Sequence, residues 1–506
     1  MLASGDWRAW VIPHLNGLPY MEKPPLLYWL TALSFALFGE SEWSARLVPA
    51  LSSLACVSML MRFGRITGHA GAGRLAGLIF VSGVGVMAMS RLLMFDMLLT
   101  ACLTGALLQA WLFLQRGRLA SMRWSYVCLA LAVLTKGLVA LVLFGLVMLG
   151  TLLLAASARA FWRNALAMLQ PSGLLLFVAI AVPWHVAAAL VEPVFGWFYF
   201  YNEHVLRFLG QREPHDYYGG PWWYYLPRML LYLFPWCFLA LWRLAPLRGG
   251  DDPGLRRFLF LAWLLPLLFF SMSTAKANYY LVAVMPFAAF HLALVVVQRQ
   301  WHGSWLRMLP AMALLLLCLV LAAVAASRPI PRQVDILGMP EQQFLSHLFG
   351  YAAVIALLLL IAAWRRPALA VLPMLAMSFW FAGGLGLALS AMEPWASTRQ
   401  LARTLLQQPE QRPVLLFRDF EKKSSLAFYL KQPLGVVDSI SADLHWGNRL
   451  RPNDRLISRE QLLELASQRK LLLAVTDEHL KDFQTWNEGR RFTALLRNGN
   501  VTVFAN

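Results

Sequence analysis

Charged residues are scarce in this chain of 506 residues. Asp, Glu, Lys and Arg make up only 14% of the sequence, whereas 59% is hydrophobic. A soluble protein of this length could not shield so much apolar surface from water. The composition therefore excludes an ordinary soluble protein and predicts a polytopic membrane protein.

Cysteine is also rare. The five cysteines have no paired spacing, and each falls inside an apolar segment, as small buried hydrophobic residues do. They give no sign of a disulfide framework and do not indicate a redox compartment. The positions are Cys56, Cys102, Cys128, Cys237 and Cys318.

Acidic residues are outnumbered, with 26 Asp and Glu against 44 Lys and Arg. Such an excess can indicate nucleic-acid binding, but here the arginines are scattered in short loops between apolar segments. The positive-inside rule explains that distribution, and we expect no nucleic-acid partner. Loops such as the one with Arg116, Arg118 and Arg123 are predicted to be cytoplasmic, and the alternate loops to face the other side.

Apolar runs of spanning length are frequent, judged against the roughly 20 residues that a bilayer requires. They predict about twelve membrane spans. The predicted spans are 43–63, 72–90, 92–115, 123–137, 138–157, 172–190, 222–243, 255–272, 277–297, 306–326, 347–364 and 367–391.

The composition changes after Trp395, where charged and amide residues become common. We predict a membrane domain over 1–394 and a small soluble α/β domain over 395–506, on the non-cytoplasmic side. Strands are predicted at 413–417 and 470–477, helices at 458–467 and after Asp477, and a terminal hairpin at Asn498-Gly499.

A proline-broken polar stretch stands out near the amino terminus. Residues 13–29 read PHLNGLPYMEKPPLLYW, with Glu22 and Lys23 directly before Pro24 and Pro25. The two prolines prevent a helix from continuing through the charged pair and place it at a helix entrance. The following apolar segment, 26–38, is too short to span and is predicted to lie at the membrane surface.

Ionisable residues at the non-cytoplasmic ends of the spans are candidates for function, because charge at a membrane edge is costly. Asp96 and Lys136 could instead be polar turn residues. Glu22 and His204 could bind a divalent metal ion, or Glu22 could form a surface salt bridge. The full set is Glu22, Lys23, Asp96, Lys136, Glu203, His204, Arg207, Lys276 and Glu393.

The cations of this set suit a phosphate ligand. Lys23, Lys136, Arg207 and Lys276 could pair with phosphate oxygens and stabilise charge that grows on a phosphate leaving group. Such charge stabilisation is required when a sugar phosphate is cleaved.

Several short motifs together resemble the bacterial undecaprenyl phosphate-aminoarabinose lipid A transferases. This family lies within the GT-C-type glycosyltransferase superfamily, which also contains the protein mannosyltransferases. The similarity covers nearly the whole membrane part, through SGDW, PHLNG, PYMEKPPLLYW, the FDM turn, LTKG, EHVLRF, PWWYYLP and STAKANYYL.

The resemblance implies an enzyme that transfers an amino sugar from undecaprenyl phosphate to lipid A at the periplasmic face of the inner membrane. It implies a GT-C fold with thirteen spans and a periplasmic carboxy-terminal domain, acting as a monomer. The implied catalytic residues are Glu22 and Asp96, and Glu22 with His204 would hold Zn²⁺ or Mg²⁺. The implied substrate-binding residues are Tyr20, Lys23, Lys136, Arg207, Lys276 and Tyr279.

The same resemblance predicts sequence upstream of Met1. Family members carry a first helix and a principal catalytic Asp before the SGDW segment, and Asp6 does not match that Asp. Either the start codon was assigned too late or the chain is truncated and inactive.

Two other functions remain open from the sequence. One is a protein O-mannosyltransferase-like or other cell-envelope sugar transferase. The other is a lipid transporter or flippase, although paired Gly- or Pro-broken helices in matching halves are not evident.

Overall fold

The computed structural model describes residues 5–154, 157–215, 219–244, 252–298, 305–327, 335–408, 410, 412–489 and 492–506. The chain forms two compact units. The larger unit is helical and takes in residues 1–11, 22–333 and 339–384, and the smaller one residues 12–21, 334–338 and 385–506.

Within the described ranges, eight helical segments are long and apolar enough to cross a bilayer, which confirms the predicted polytopic helical fold. Each overlaps one of the predicted spans. They are Glu42–Ile66, Phe95–Arg116, Pro171–Val191, Pro253–Met272, Asn278–Gln298, Leu309–Ser327, Glu341–Arg365 and Ala368–Ala391.

The core of the larger unit lies around helix Phe95–Arg116 and segment Asn278–Gln298, the two most deeply buried spans. The fully buried ring of Phe63 packs edge-on against Trp111 at 5.4 Å and Phe290 at 5.6 Å between ring centroids. Edge-to-face pairs of this kind add about 0.5–1.5 kcal/mol beyond the buried area.

Two predicted spans, 72–90 and 222–243, are broken, and continuous helices there were a wrong prediction. Pro235 has no N–H for a helix, and it restricts the residue before it. The breaks pair with each other, because the Val84 N–H donates to the Phe234 carbonyl over 3.1 Å. Backbone polar groups inside a membrane protein need such internal partners. The pieces are Ala70–Ser82, Val84–Met89, Tyr225–Tyr232 and the 3₁₀ segment Trp236–Leu244.

The predicted spans 123–137 and 138–157 are helical but fall outside the eight long apolar segments. They form helices Leu119–Lys136 and Val139–Leu153, which meet at Gly137. The predicted surface segment is a helix with bounds Leu26–Phe38, as the two prolines before it require. The remaining helices described in this unit are Arg8–Val11, Ala158–Met168, the π-helix Trp197–Leu206, Arg207–Leu209 and the 3₁₀ segment Trp305–Met308.

The smaller unit contains more than the predicted domain 395–506, because residues 12–21 pack with it. Strands His14–Leu15 and Leu18–Pro19 form a hairpin. In its turn, the Asn16 side chain donates to the Leu434 carbonyl (2.8 Å) and accepts from the Leu434 N–H (2.7 Å). These two hydrogen bonds attach the hairpin to residues of the predicted carboxy-terminal domain, which helps to explain why the smaller unit is larger than predicted.

A six-stranded mixed sheet forms the centre of the smaller unit. All strands and helices predicted for the tail are present, including the hairpin at Asn498-Gly499. Four parallel strands are followed by an antiparallel pair, in the order Leu456–Ile457, Gly435–Val437, Val414–Phe417, Leu472–Thr476, Val501–Ala505 and Thr493–Asn498. The α-helices of this part are Glu393–Ala396, Arg399–Leu406, Ser425–Leu430, Ala442–Leu450, Arg459–Gln468 and Asp477–Asn487.

Candidate functional site

Glu203 is the centre of a buried ionic cluster in the helical unit. It lies on the π-helix Trp197–Leu206, and its side chain is 2% exposed. Its Oε2 lies 3.3 Å from Lys23 Nζ and 3.0 Å from Arg207 Nη1, and its Oε1 accepts from Arg212 Nε. The fold therefore brings three cations onto one carboxylate.

Glu22 completes this cluster from the polar stretch. Its Oε1 lies 2.6 Å from Arg212 Nη2, and its Oε2 lies 3.7 Å from Lys23 Nζ. Three cations thus face two carboxylates, which leaves the cluster with at least one net positive charge. An anion that approached its accessible edge would be attracted.

The cations decide the ionisation of Glu203. Burial by itself raises its pKa, but Lys23, Arg212 and Arg207 together outweigh burial and lower the pKa to about 2. Burial and the neighbouring Glu203 raise the pKa of Glu22, against the opposing effect of Arg212. Glu203 is therefore the firmly ionised member of the carboxylate pair.

A second ion pair joins Asp96 to Lys136, whose Oδ1 and Nζ atoms lie 2.5 Å apart. Asp96 is in the first turn of helix Phe95–Arg116, where the helix dipole favours a negative charge. The Lys136 ammonium also lies over the rings of Tyr280 at 4.3 Å and Tyr279 at 5.2 Å. Asp96 is only 3% exposed, which favours a paired carboxylate over a solvent-facing turn residue.

His204 connects the Lys136 turn to the π-helix. Its Nε2 accepts from the Leu138 N–H at 3.0 Å, and its Nδ1 lies 2.6 Å from the Tyr199 carbonyl, to which it donates in this tautomer. Gly137 has φ +87°, and a Cβ there would lie 2.5 Å from His204 Nε2. The glycine of the LTKG motif is thus required by both backbone conformation and space.

These contacts do not fit a metal ion held by Glu22 and His204. Both ring nitrogens of His204 bind backbone groups, and Glu22 is held by Arg212 and Lys23. Burial also lowers the pKa of His204, which keeps the ring neutral as the hydrogen bonds require. The predicted metal pairing has no geometric support, and no chemical step is derived from it.

Two residues that matter here were missed by the sequence-based site prediction, Arg212 and Asn202. The Asn202 side chain, fully buried, donates to the Glu213 carbonyl (2.7 Å) and accepts from the Glu213 N–H (2.9 Å). It thereby fixes the loop that carries Arg212. The only signal was the charge density of the segment around Arg207 and Arg212.

Two other predicted substrate-binding residues have different contacts. Lys276 Nζ donates to the carbonyls of Ser271 (2.9 Å) and Ser273 (2.5 Å), and so caps the end of helix Pro253–Met272. Tyr20 belongs to the smaller unit, where its N–H donates to the Pro13 carbonyl. Their predicted roles in substrate binding stay predictions.

Residues 22–186 match the sequence model of the dolichyl-phosphate-mannose-protein mannosyltransferase family. That region contains Glu22, Lys23, Asp96 and Lys136. The matched segment therefore includes residues of both ionic groups.

Similar proteins include undecaprenyl phosphate-alpha-4-amino-4-deoxy-L-arabinose arabinosyl transferases. The protein of that name from Aeromonas salmonicida is 31% identical over 348 residues, 65% of this chain and 60% of its own length. A second one, from Pseudomonas fluorescens Pf-5, is 28% identical over 484 residues, 88% of this chain and 76% of its own length. The chain thus spans about 60% of the length of the Aeromonas relative.

Among solved structures, ArnT from Cupriavidus metallidurans bound to undecaprenyl phosphate superimposes with a TM-score of 0.80 at 23% identity. The superposition covers 100% of this chain and 91% of that one. Its apo state gives a TM-score of 0.79. The fold of the two proteins is the same.

Proposed function

We propose that the chain is a member of the undecaprenyl phosphate-aminoarabinose arabinosyl transferase family and that it transfers an amino sugar from undecaprenyl phosphate to lipid A, in line with its similarity to proteins of that name. The sugar would be 4-amino-4-deoxy-L-arabinose or a close analogue. The observation that carries the proposal is the buried group of three cations around Glu203, which suits a phosphate-bearing donor.

The reaction would be a displacement at the anomeric carbon of the sugar. An oxygen of a lipid A phosphate attacks that carbon and forms the new bond. The bond from the carbon to the donor phosphate oxygen breaks, and undecaprenyl phosphate leaves with its negative charge increased. The acceptor phosphate is already ionised near neutral pH, so a strong general base is not required.

Charge stabilisation and positioning then dominate the catalysis. The side chains of Lys23 and Arg207 are 17% and 18% exposed, whereas that of Arg212 is 4% exposed. Lys23 and Arg207 are therefore the cations that a donor phosphate could reach. Arg212 would hold Glu22 and Glu203 in place.

Asp96 would orient Lys136 through their direct ion pair. The rings of Tyr279 and Tyr280 restrict the ammonium further by cation–π contact, each worth about 0.5–2 kcal/mol. A cation fixed in this way needs little rearrangement when charge develops on a phosphate.

The proposed location is the periplasmic face of the bacterial inner membrane. It is supported by the arginines of alternate loops, which favour a cytoplasmic position for the opposite ends of the helices. An active site on the same side as lipid A headgroups would follow.

The match to the mannosyltransferase family favours a second candidate, sugar transfer to a protein hydroxyl. A Ser or Thr hydroxyl must lose a proton, which requires a general base. Glu203, with a pKa of about 2, is a poor base, and Glu22, although its pKa is raised, is held in ion pairs with Arg212 and Lys23. The cation-rich cluster is thus better suited to an acceptor that is already anionic.

The experiment that tests the proposal is expression of the chain in a bacterium that lacks this lipid A modification but makes the donor. We expect extracted lipid A to gain the mass of one amino sugar. Unmodified lipid A, despite folded protein in the membrane, would contradict the proposal. Added hexose on periplasmic proteins would instead support the second candidate.

A further inference from the structure

The parallel part of the sheet in the smaller unit brings three metal-binding side chains together. Strands Val414–Phe417 and Leu472–Thr476 are parallel neighbours, so their carboxyl ends meet at one sheet edge. Asp419 follows the first strand, and Glu478 and His479 lie in the first turn of helix Asp477–Asn487 after the second. Ligand sites of α/β folds occur at such edges.

These side chains lie close enough to converge on a single ion after small side-chain rotations. One ligand atom from each of Asp419, Glu478 and His479 lies within 4.8 Å of the other two. His479 Nε2 is 4.0 Å from Asp419 Oδ2. The same Nε2 is fully buried and has no hydrogen-bond partner among the described residues. A buried polar atom without a partner is costly and calls for a ligand.

A lysine ammonium already bridges the two carboxylates. Lys422 Nζ lies 2.7 Å from Asp419 Oδ2 and 2.5 Å from Glu478 Oε2. It does not satisfy His479, and its side chain is 53% exposed on a flexible stem. The ammonium can therefore move into water if a stronger cation arrives.

Two other charged groups nearby, Lys423 and Asp477, interact with different partners. Lys423 Nζ donates to Asn500 Oδ1 at 2.7 Å and to a backbone carbonyl at 3.2 Å. Asp477 is paired with Arg497 at 3.0 Å. Lys422 is thus the cation that competes directly for Asp419 and Glu478.

We propose that Asp419, Glu478 and His479 form a binding site for a divalent transition metal of the zinc type, with Lys422 as a displaceable internal cation. Zinc accepts an imidazole nitrogen together with carboxylate oxygens, whereas calcium and magnesium prefer oxygen ligands alone. One dication would neutralise both carboxylates and give His479 Nε2 its missing partner. The bound ion would tie the loop after strand Val414–Phe417 to helix Asp477–Asn487.

The first test is zinc stoichiometry, measured by equilibrium dialysis on the purified full-length protein in detergent. Surface histidines also bind zinc weakly, so the parent is compared with His479→Ala and with the control His445→Ala, which changes an exposed histidine of the same unit. We expect one tight equivalent to be lost in His479→Ala and retained in His445→Ala. Equal stoichiometry in the parent and His479→Ala would overturn the proposal.

The second test uses the competing lysine and does not depend on how His479→Ala folds. Lys422→Met keeps the length of the side chain and removes its charge. In this variant, zinc no longer has to displace the partly exposed ion pairs of Lys422 with Asp419 and Glu478. We therefore expect zinc to bind about fivefold to tenfold more tightly. Unchanged or weaker binding in Lys422→Met would overturn the site as well. Thermal unfolding without zinc checks that both variants fold.

Discussion

Lys23 Nζ lies 3.3 Å from Glu203 Oε2, although 180 positions separate the two residues. The contact joins the proline-broken entrance of helix Leu26–Phe38 to the π-helix Trp197–Leu206. Under the proposed function, Glu203 is the residue that positions Lys23 for the donor phosphate.

Lys23→Ala should weaken use of the polyprenyl phosphate donor with little effect on folding. Glu203 keeps Arg207 and Arg212 as partners, so no buried charge is left alone. A charge-assisted hydrogen bond is worth about 1.5–3 kcal/mol, which predicts a ten- to hundredfold loss of transfer. The rate of sugar transfer is measured in membranes with labelled donor, and Lys481→Ala, which changes an exposed lysine, is the control. Equal losses in both variants would argue against a phosphate contact.

Glu203→Gln should destabilise the helical unit strongly. The variant removes the carboxylate that Lys23, Arg207 and Arg212 share. Breaking a buried ion pair on one side costs about 3–5 kcal/mol. Thermal unfolding in detergent should show a clear decrease in the unfolding temperature, and an unchanged value would mean that the cluster is not buried in the protein.

The stability that Glu203 provides should depend on pH in a defined way. Its pKa falls from 4.5 to about 2 on folding, so its contribution is complete above about pH 4.5 and is lost as the pH falls toward about 2. The difference in unfolding temperature between parent and Glu203→Gln should therefore not shrink as the pH falls from about 8 to 5. A difference that already shrinks near pH 6 would contradict a lowered pKa.

Gly137→Ala should displace the turn that holds Lys136. The added Cβ would lie 2.5 Å from His204 Nε2 and 2.6 Å from the Tyr199 hydroxyl. Gly117→Ala is the matched control, because Gly117 also ends a helix at positive φ but has no atom within 4 Å of its Cβ position. Both variants carry the backbone strain of about 1–2 kcal/mol. Only Gly137→Ala should lose sugar transfer, and equal activity of the two variants would exclude a role for this contact.

Asp96→Asn removes a charge at nearly constant size and should leave membrane insertion intact. Lys136 then loses its partner at 2.5 Å and is no longer oriented. Because Lys136 loses its buried carboxylate partner, the variant should also be less stable, and we expect sugar transfer to lipid A to fall sharply when it is expressed per amount of folded protein. If the variant modifies lipid A at the parent rate, Asp96 has only a structural role.

The sequence predicted those elements whose signal is local. Pro24 and Pro25 determine where helix Leu26–Phe38 begins, and the turn at Asn498-Gly499 determines the terminal hairpin. The break in the predicted span 222–243 was missed because a long apolar run conceals Pro235, whose effect is backbone geometry and not hydropathy.

The site was predicted only in part, because charge is visible in the sequence whereas long-range contacts are not. Six residues were recognised as costly charges at membrane edges, and the structure brings them into two ion-paired groups: Glu22, Lys23, Glu203 and Arg207 in one, and Asp96 and Lys136 in the other. The central position of Glu203 depends on a contact with Lys23, 180 positions away, and the role of Asn202 depends on a single pair of hydrogen bonds. Neither leaves a periodic or charge signal in the sequence.

The most direct measurement of the central claim is sugar transfer in proteoliposomes that contain the purified chain and labelled undecaprenyl phosphate-linked amino sugar. The acceptors are lipid A and the same lipid A with its phosphates removed. We expect label on intact lipid A, release of undecaprenyl phosphate, and no label on the dephosphorylated acceptor. Equal labelling of both acceptors, or donor that crosses the bilayer without transfer, would contradict this claim.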